Sequence, residues 1–184
     1  IVQAYLPGNE GAQAILDIIS GEVNPSGKLP YTYPRYASSH STYDHKTTDL
    51  IDPKFGLNAF YPQYEFGHGL SYTEFAYSNL SISSDSISCG DSLTVSVDVK
   101  NIGDLSGKEV IQLYVRDEVA SITPPVKMLK GYSKIDLSAG ETRLVQFNLT
   151  CQDLEFVGIE MERITEEGDF NLMVDTLKIP FYLK

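Results

Sequence analysis

The sequence predicts a mainly β fold: a two-sheet sandwich of about seven strands, preceded by a helix and a short strand that belong to a different kind of layer. Three observations predict it. From residue 75 onward, apolar and polar residues alternate with the period of two that half-buried strands require. Turn signals such as Asn101-Ile102-Gly103-Asp104 and Ser138-Ala139-Gly140 separate these runs. Only residues 9–20 carry a convincing helical period.

That helix follows Pro7-Gly8. Asn9 suits the N-cap, and Glu10 favours the positive end of the helix dipole. Ala12, Ile15, Leu16 and Ile19 recur at three- and four-residue spacing and make one apolar stripe, which Ile18 widens. Gly21 stands where a C-terminal glycine ends a helix. One amphipathic helix cannot bury its stripe alone, so it needs a sheet or further helices to pack on. Residues 1–35 thus read as a turn, a helix and a short strand, and residues 36–70 as an irregular connector rich in Tyr, Ser, His and Asp.

The strands come in order. Phe75 to Ile82 is the first. In the second, Leu93, Val95, Val97 and Val99 point one way while Thr94, Ser96, Asp98 and Lys100 point the other. Val110 to Val115 is more buried, with Ile111, Leu113 and Val115 on one face. Pro124-Pro125 interrupts before a strand at 128–137. Val145, Phe147 and Leu149 alternate in the fifth, Phe170 to Val174 follows Glu167-Gly168, and Ile179 to Leu183 closes the chain. Seven strands suit an immunoglobulin-like or fibronectin type III-like sandwich. There the second and fifth strands are antiparallel neighbours. Cys89 precedes the second and Cys151 follows the fifth, so a disulfide is geometrically allowed; two separate thiols is the other reading.

Composition bounds the function. The 184 residues make room for one domain or one domain plus part of another. With 42% hydrophobic and 21% charged residues the chain is globular rather than disordered. No apolar run approaches the ~20 residues of a membrane helix. The opening Ile1-Val2-Gln3-Ala4-Tyr5 has neither initiator Met nor basic leader, which reads as a fragment or processed piece. A net charge of −11 repels phosphate backbones and disfavours nucleic-acid binding.

Chemical motifs are few. Gly21 to Lys28 resembles a phosphate-binding loop but fails, because five residues separate Gly21 from Gly27 and Leu29 follows Lys28. No Cys-x-x-Cys pair supports a zinc knuckle or thioredoxin-type motif, and no Gly-x-Ser-x-Gly elbow supports a serine hydrolase. His40, Asp44, His45 and Asp49 lie close in sequence, yet nothing in their spacing enforces a metal geometry. His68 stands apart from them. The 25 acidic residues offer many carboxylates, but sequence pairs none of them across a glycosidic bond. Eight of the twelve tyrosines fall between Tyr31 and Tyr77. Tyrosine suits both sugar contact and a partly wet domain boundary, and a connector that crosses a boundary has to fill it. The absence of Trp speaks against a free-standing sugar-binding module. Asn79-Leu80-Ser81 and Asn148-Leu149-Thr150 fit the N-glycosylation pattern.

Several segments together resemble one family. Tyr5-Leu6-Pro7-Gly8-Asn9-Glu10-Gly11 is similar to the Pro-Gly-x-Glu-Gly helix start of family 3 glycoside hydrolases. Asn24-Pro25-Ser26-Gly27-Lys28-Leu29-Pro30, with Pro34-Arg35 after it, matches another of that family's segments. Tyr61 through Thr73 resembles its Tyr-Pro-Phe-Gly-Tyr-Gly-Leu-Ser-Tyr-Thr signature. Residues 99–104, 112–115 and 125–131 resemble its fibronectin type III-like domain. The order is the family's, and the coverage is nearly the whole chain. Three departures stand out: His68 replaces the usual Tyr, Gln63-Tyr64-Glu65 adds length, and Tyr43 to Asp49 lacks the Gly-Arg that ends a similar loop in bacterial members.

The resemblance implies a retaining exo-β-glycosidase that cleaves oligosaccharides through two carboxylates and a covalent intermediate, with no cofactor. The family's nucleophile lies on an N-terminal barrel and its acid/base in the following α/β sandwich domain. Neither matches a position in this chain, so the resemblance assigns it no catalytic, cofactor-binding or metal residue. It implies three parts: the end of the α/β sandwich domain at 1–35, a connector at 36–70, and the fibronectin type III-like domain at 71–184. The implied partners are the upstream barrel and α/β domains and a glycoside substrate, in a periplasmic or secreted setting. Two other readings are a stand-alone sandwich binding module and a non-catalytic subunit of a split glycosidase. The helix at 9–20 speaks against the first, since an independent sandwich has no use for it.

Overall fold

The computed structural model of the chain describes residues 1–39, 42–47 and 60–184. Among the described residues, one α-helix, α1 (Gly11–Ser20), is followed by ten strands. These are β1 (Phe75–Ile82), β2 (Ser86–Ile87), β3 (Ser92–Asn101), β4 (Gly107–Asp117), β5 (Met128–Leu137), β6 (Thr142–Thr150), β7 (Phe156–Val157), β8 (Arg163–Ile164), β9 (Gly168–Val174) and β10 (Leu177–Leu183). Strands β1-β3-β6 form one sheet and β2-β10-β9-β4-β5 the other, while β7 and β8 make a small hairpin. All pairings are antiparallel except β2 with β10. This is the two-sheet sandwich expected from the alternation.

The core lies where the alternation placed it. Leu93, Val95, Val97 and Val99 of β3 face inward and are at most 1% exposed. They pack in one cluster with Ile111 and Leu113 of β4, Leu172 and Val174 of β9, and Phe181 of β10. Each such side chain contributes about 1.5–3 kcal/mol on leaving water. The three strands absent from the sequence reading are β2, β7 and β8, each only two residues long, too short for any periodicity to register.

One polar residue is sealed into this core. Asn101, 0% exposed, ends β3. Its Nδ2 donates to the carbonyls of Leu105 and Leu137 at 2.7 and 3.1 Å. Its Oδ1 accepts from the Thr73 hydroxyl at 2.7 Å and the Gly103 N–H at 3.1 Å. The amide thus fills its two donor and two acceptor positions, tying the entry to β1, the β3–β4 turn and the end of β5 together.

Cys89 and Cys151 are bonded, with Cα atoms 5.0 Å apart. The cause is the β3/β6 ladder, whose last pair, Ser92 opposite Thr150, brings the flanking residues together. Two details of the N-terminal zone differ from expectation. Asn9 does not cap α1: the helix starts after a turn in which the Gly11 N–H donates to the Gly8 carbonyl, and Glu10 holds the cap position without a side-chain bond. The short strand after the helix is reduced to a single bridge, Tyr33 opposite Tyr64. Pro30 and Pro34 flank it, and proline lacks the N–H that would lengthen a ladder. Gly21 ends the helix as expected, at φ 83° with its N–H on the Ile18 carbonyl.

Candidate functional site

The segments with distinctive motifs converge on β4 and the loops beside it. Two of them dock directly on each other. The Leu29 N–H donates to the His68 carbonyl, and the Gly67 N–H to the Leu29 carbonyl, both at 2.8 Å. Gly67 sits at φ 81°, which glycine alone adopts without strain. Gly69 needs its missing Cβ for another reason, since a Cβ there would overlap the Gly27 carbonyl oxygen. We expect Gly69→Ala to force the two segments apart and cost about 1–3 kcal/mol, the usual scale of an overpacked contact. Faster proteolysis within residues 20–35, at unchanged β content by circular dichroism, would register it.

Asn24 extends the clamp. Its Oδ1 accepts from the Ser71 hydroxyl and the Tyr72 N–H, both at 2.8 Å, and its Nδ2 donates to the Ser106 carbonyl at 3.1 Å. Tyr72 then donates its hydroxyl to the Ile18 carbonyl at 2.6 Å, anchoring the end of α1. Lys28 pairs with Glu109 of β4 at 3.0 Å, and the Tyr77 hydroxyl donates to the same Glu109 carboxylate at 2.9 Å. Burial, then the neighbouring Glu109 charge, push the Tyr77 phenol far above its ordinary range, so it stays a protonated donor at neutral pH.

A second set of contacts joins the connector to the β4–β5 region. The Val126 N–H donates to the His45 carbonyl at 2.9 Å, the Leu129 N–H to the Tyr43 hydroxyl, and Lys46 bridges Pro125. Tyr43 also packs against Phe66 with ring centroids 4.4 Å apart. Lys127 lies 3.6 Å from Glu65 and 4.9 Å above the Tyr114 ring. Between Phe60–His68 and the sheet the described residues leave a cleft of about 770 Å³, lined by Lys28 and, on its sandwich wall, by Tyr77, Glu109, Gln112 and Tyr114. Burial pushes the Tyr114 phenol above its ordinary range, and its hydroxyl donates to Gln112. Gln112 in turn donates to the Gly67 carbonyl at 3.4 Å. Two of the cleft's carboxylates, Glu109 and Glu65, are thus already paired with lysines. The chemistry of this face is that of a hydrogen-bonded joint.

The singled-out residues divide accordingly. His45 is buried and stacks on Phe60 at 3.6 Å; His68 stacks on Tyr64 at 4.8 Å. His40 and Asp49 lie outside the described residues. Among the described residues no three His, Cys, Asp or Glu side chains are grouped to hold a metal ion. Most of the clustered tyrosines serve the joint: Tyr33, Tyr43, Tyr64, Tyr72 and Tyr77 all bond across it or along it. The residues missed in the sequence are Asn24, Asn101 and Glu109. The asparagines read as turn residues, and nothing local marks the distant atoms they bind.

Comparison with known proteins matches this geometry. Residues 1–72 match the glycosyl hydrolase family 3 C-terminal domain, and residues 109–177 the fibronectin type III-like domain. The lysosomal beta glucosidase of Dictyostelium discoideum is 37% identical over 100% of this chain and 23% of its own length. The periplasmic beta-glucosidase of Salmonella typhimurium is 38% identical over 95% of this chain and 24% of its own length. The solved β-glucosidase of Erythrobacter marinus superposes with a TM-score of 0.90 at 37% identity, covering 98% of this chain and 25% of that one. The chain therefore spans about a quarter of the length of the relatives it matches.

Proposed function

Since the chain belongs to family 3 of the glycoside hydrolases, as the C-terminal part of such proteins, we propose that it is the non-catalytic scaffold of a retaining exo-β-glycosidase that hydrolyses β-glucosides. The observation that carries the scaffold role is the unequal burial of its N-terminal segment. Residues 24–30 are locked onto the sandwich, yet helix α1 next to them leaves Leu16 and Ile19 59% and 67% exposed. An apolar helix stripe of that kind covers its surface against another layer. The partner is the rest of the α/β domain in the same protein, with the catalytic carboxylates on that domain and the barrel before it. Residues 1–35 then complete the α/β layer, 36–70 form the joint, and 71–184 are the sandwich. The compartment is periplasmic or secreted, in keeping with the Cys89–Cys151 bond, which persists in oxidising surroundings.

The expected result is no turnover of aryl β-glucosides or aryl β-xylosides by this chain alone, and turnover by the full-length protein. Hydrolysis by the isolated chain that survived repurification would overturn the non-catalytic assignment. In the full-length protein, charging the exposed stripe by Ile19→Asp is expected to lower the activity and loosen the α/β domain. An unaltered activity and melting curve would remove the packing role of α1.

A further inference from the structure

The outer face of the three-stranded sheet differs from the face just described. Pairing of β1, β3 and β6 sets Ser78 opposite Asp98, Ser81 opposite Ser96, and Thr94 opposite Asn148. Side chains complete these rungs: Asn79 Nδ2 donates to Asp98 at 2.8 Å, Gln146 Nε2 to Ser96 at 3.1 Å, and the Thr94 hydroxyl to Asn148 Oδ1 at 3.2 Å. These rungs make the face largely polar, with Leu144 its one large exposed apolar side chain among the described residues. The N-terminal segment and connector dock elsewhere, on β4, the β3–β4 loop and the β4–β5 region, through Lys28, Asn24, Gly67 and His45.

Both Asn-x-Ser/Thr triplets of the chain that avoid proline after the asparagine fall on this one face. Asn24-Pro25-Ser26 is the remaining triplet and is barred by its proline. Asn148 is exposed in the middle of β6. Asn79 is exposed at an irregularity of β1, where the β1/β3 register slips between Ser78 and Ser81. It takes φ 54°, a left-handed conformation that asparagine tolerates better than most residues. The slip leaves Asn79 without a ladder partner, and its exposed side chain lies on the outer face against Asp98. A third feature of the same sheet is the disulfide at the end of β6, whose chemistry belongs to an oxidising compartment.

Resting on the secreted rather than the periplasmic reading of the compartment, the geometry points to Asn79 and Asn148 as N-glycosylation sites, modified during passage through a eukaryotic secretory pathway, and to the three-stranded sheet as the glycan-bearing outer wall of the full-length protein. The donor is a polyprenyl-diphosphate-linked oligosaccharide. The asparagine side-chain nitrogen bonds to C1 of the sugar, the C1–oxygen bond to diphosphate breaks, one amide proton passes to a base, and the polyprenyl diphosphate leaves. Transfer precedes folding, so the fold must leave both amides room for a glycan. Placement on a polar sheet face, away from the joint and from α1, does so.

The test is peptide mass mapping of the full-length protein purified from its own source, after enzymatic deglycosylation in heavy-oxygen water. Both Asn79 and Asn148 are expected as labelled aspartate. In protein secreted from a eukaryotic host, Ser81→Ala is expected to abolish the first label alone and Asn148→Gln the second alone. Ser81 is exposed, and Asn148 makes only a surface bond, so both variants keep the fold. Recovery of either peptide mainly as unmodified asparagine from the native protein would overturn the proposal. So would a label that persists in the variant lacking its acceptor triplet.

Discussion

Asn101→Leu is expected to destabilise the protein by roughly 3 kcal/mol or more, an effect at the large end for one side chain. Leucine has the same branched outline and is larger, so the core stays filled and some overpacking adds to the loss. What is lost is the amide that the Leu105 and Leu137 carbonyls, the Thr73 hydroxyl and the Gly103 N–H all use. Each buried group left without a partner costs about 1–3 kcal/mol. Asn101→Asp separates the polar effect from the packing effect. It keeps the two acceptor bonds but sets a buried charge against two carbonyl oxygens, which raises the folded-state pKa of the new carboxyl. A raised folded pKa means that the folded state binds the proton more tightly than the unfolded state. The aspartate variant therefore retains more stability in acid and loses it as pH rises through that pKa. Urea unfolding at about pH 4 and pH 7, referred to the unsubstituted protein at each pH, would show the difference. Equal losses at both would mean that the amide is not the cause.

Reducing the Cys89–Cys151 bond is expected to have a comparable or larger effect. The two residues are 62 apart in sequence. Chain-entropy arguments place the stabilisation from closing a loop of that size at about 4 kcal/mol. Cys89→Ser with Cys151→Ser should lower the melting temperature by about 15 °C or more for a domain of this size. Because β3 and β6 remain paired from Ser92/Thr150 to Lys100/Thr142 without the bond, the reduced protein should keep its β-sheet spectrum at low temperature. Thiol counting under denaturing conditions should give none before reduction and two after. Two reactive thiols in the untreated protein would sink this prediction.

The sandwich was legible because each long strand carries its own evidence. In β3, four consecutive inward positions are Leu or Val, and a shift of one residue would turn all of them to solvent. Gly21 marked the helix end through its own conformation. The helix start was misread because a backbone turn through Gly8 takes the place of a side-chain cap, and Asn9 looks the same in sequence either way. Between Cys89 and Cys151 the strand order allowed a bond but left free thiols open, since spacing alone does not place two sulfurs. The joint was legible as motifs and illegible as contacts. Gly27 and Gly69 are far apart in sequence, and nothing local to either glycine says that it faces the other. The same holds for Asn24, whose three partners lie 47 to 82 residues away.

The Asn24 clamp bears on where this chain can be cut. A boundary drawn at residue 70, where the composition changes, would leave Ser71, Tyr72 and Ser106 without the amide they share, and would bare the Glu109 carboxylate that Lys28 covers. For protein engineers who graft such sandwiches between glycosidases, the transferable module starts before Asn24. A graft that begins later carries the fold but leaves its latch behind.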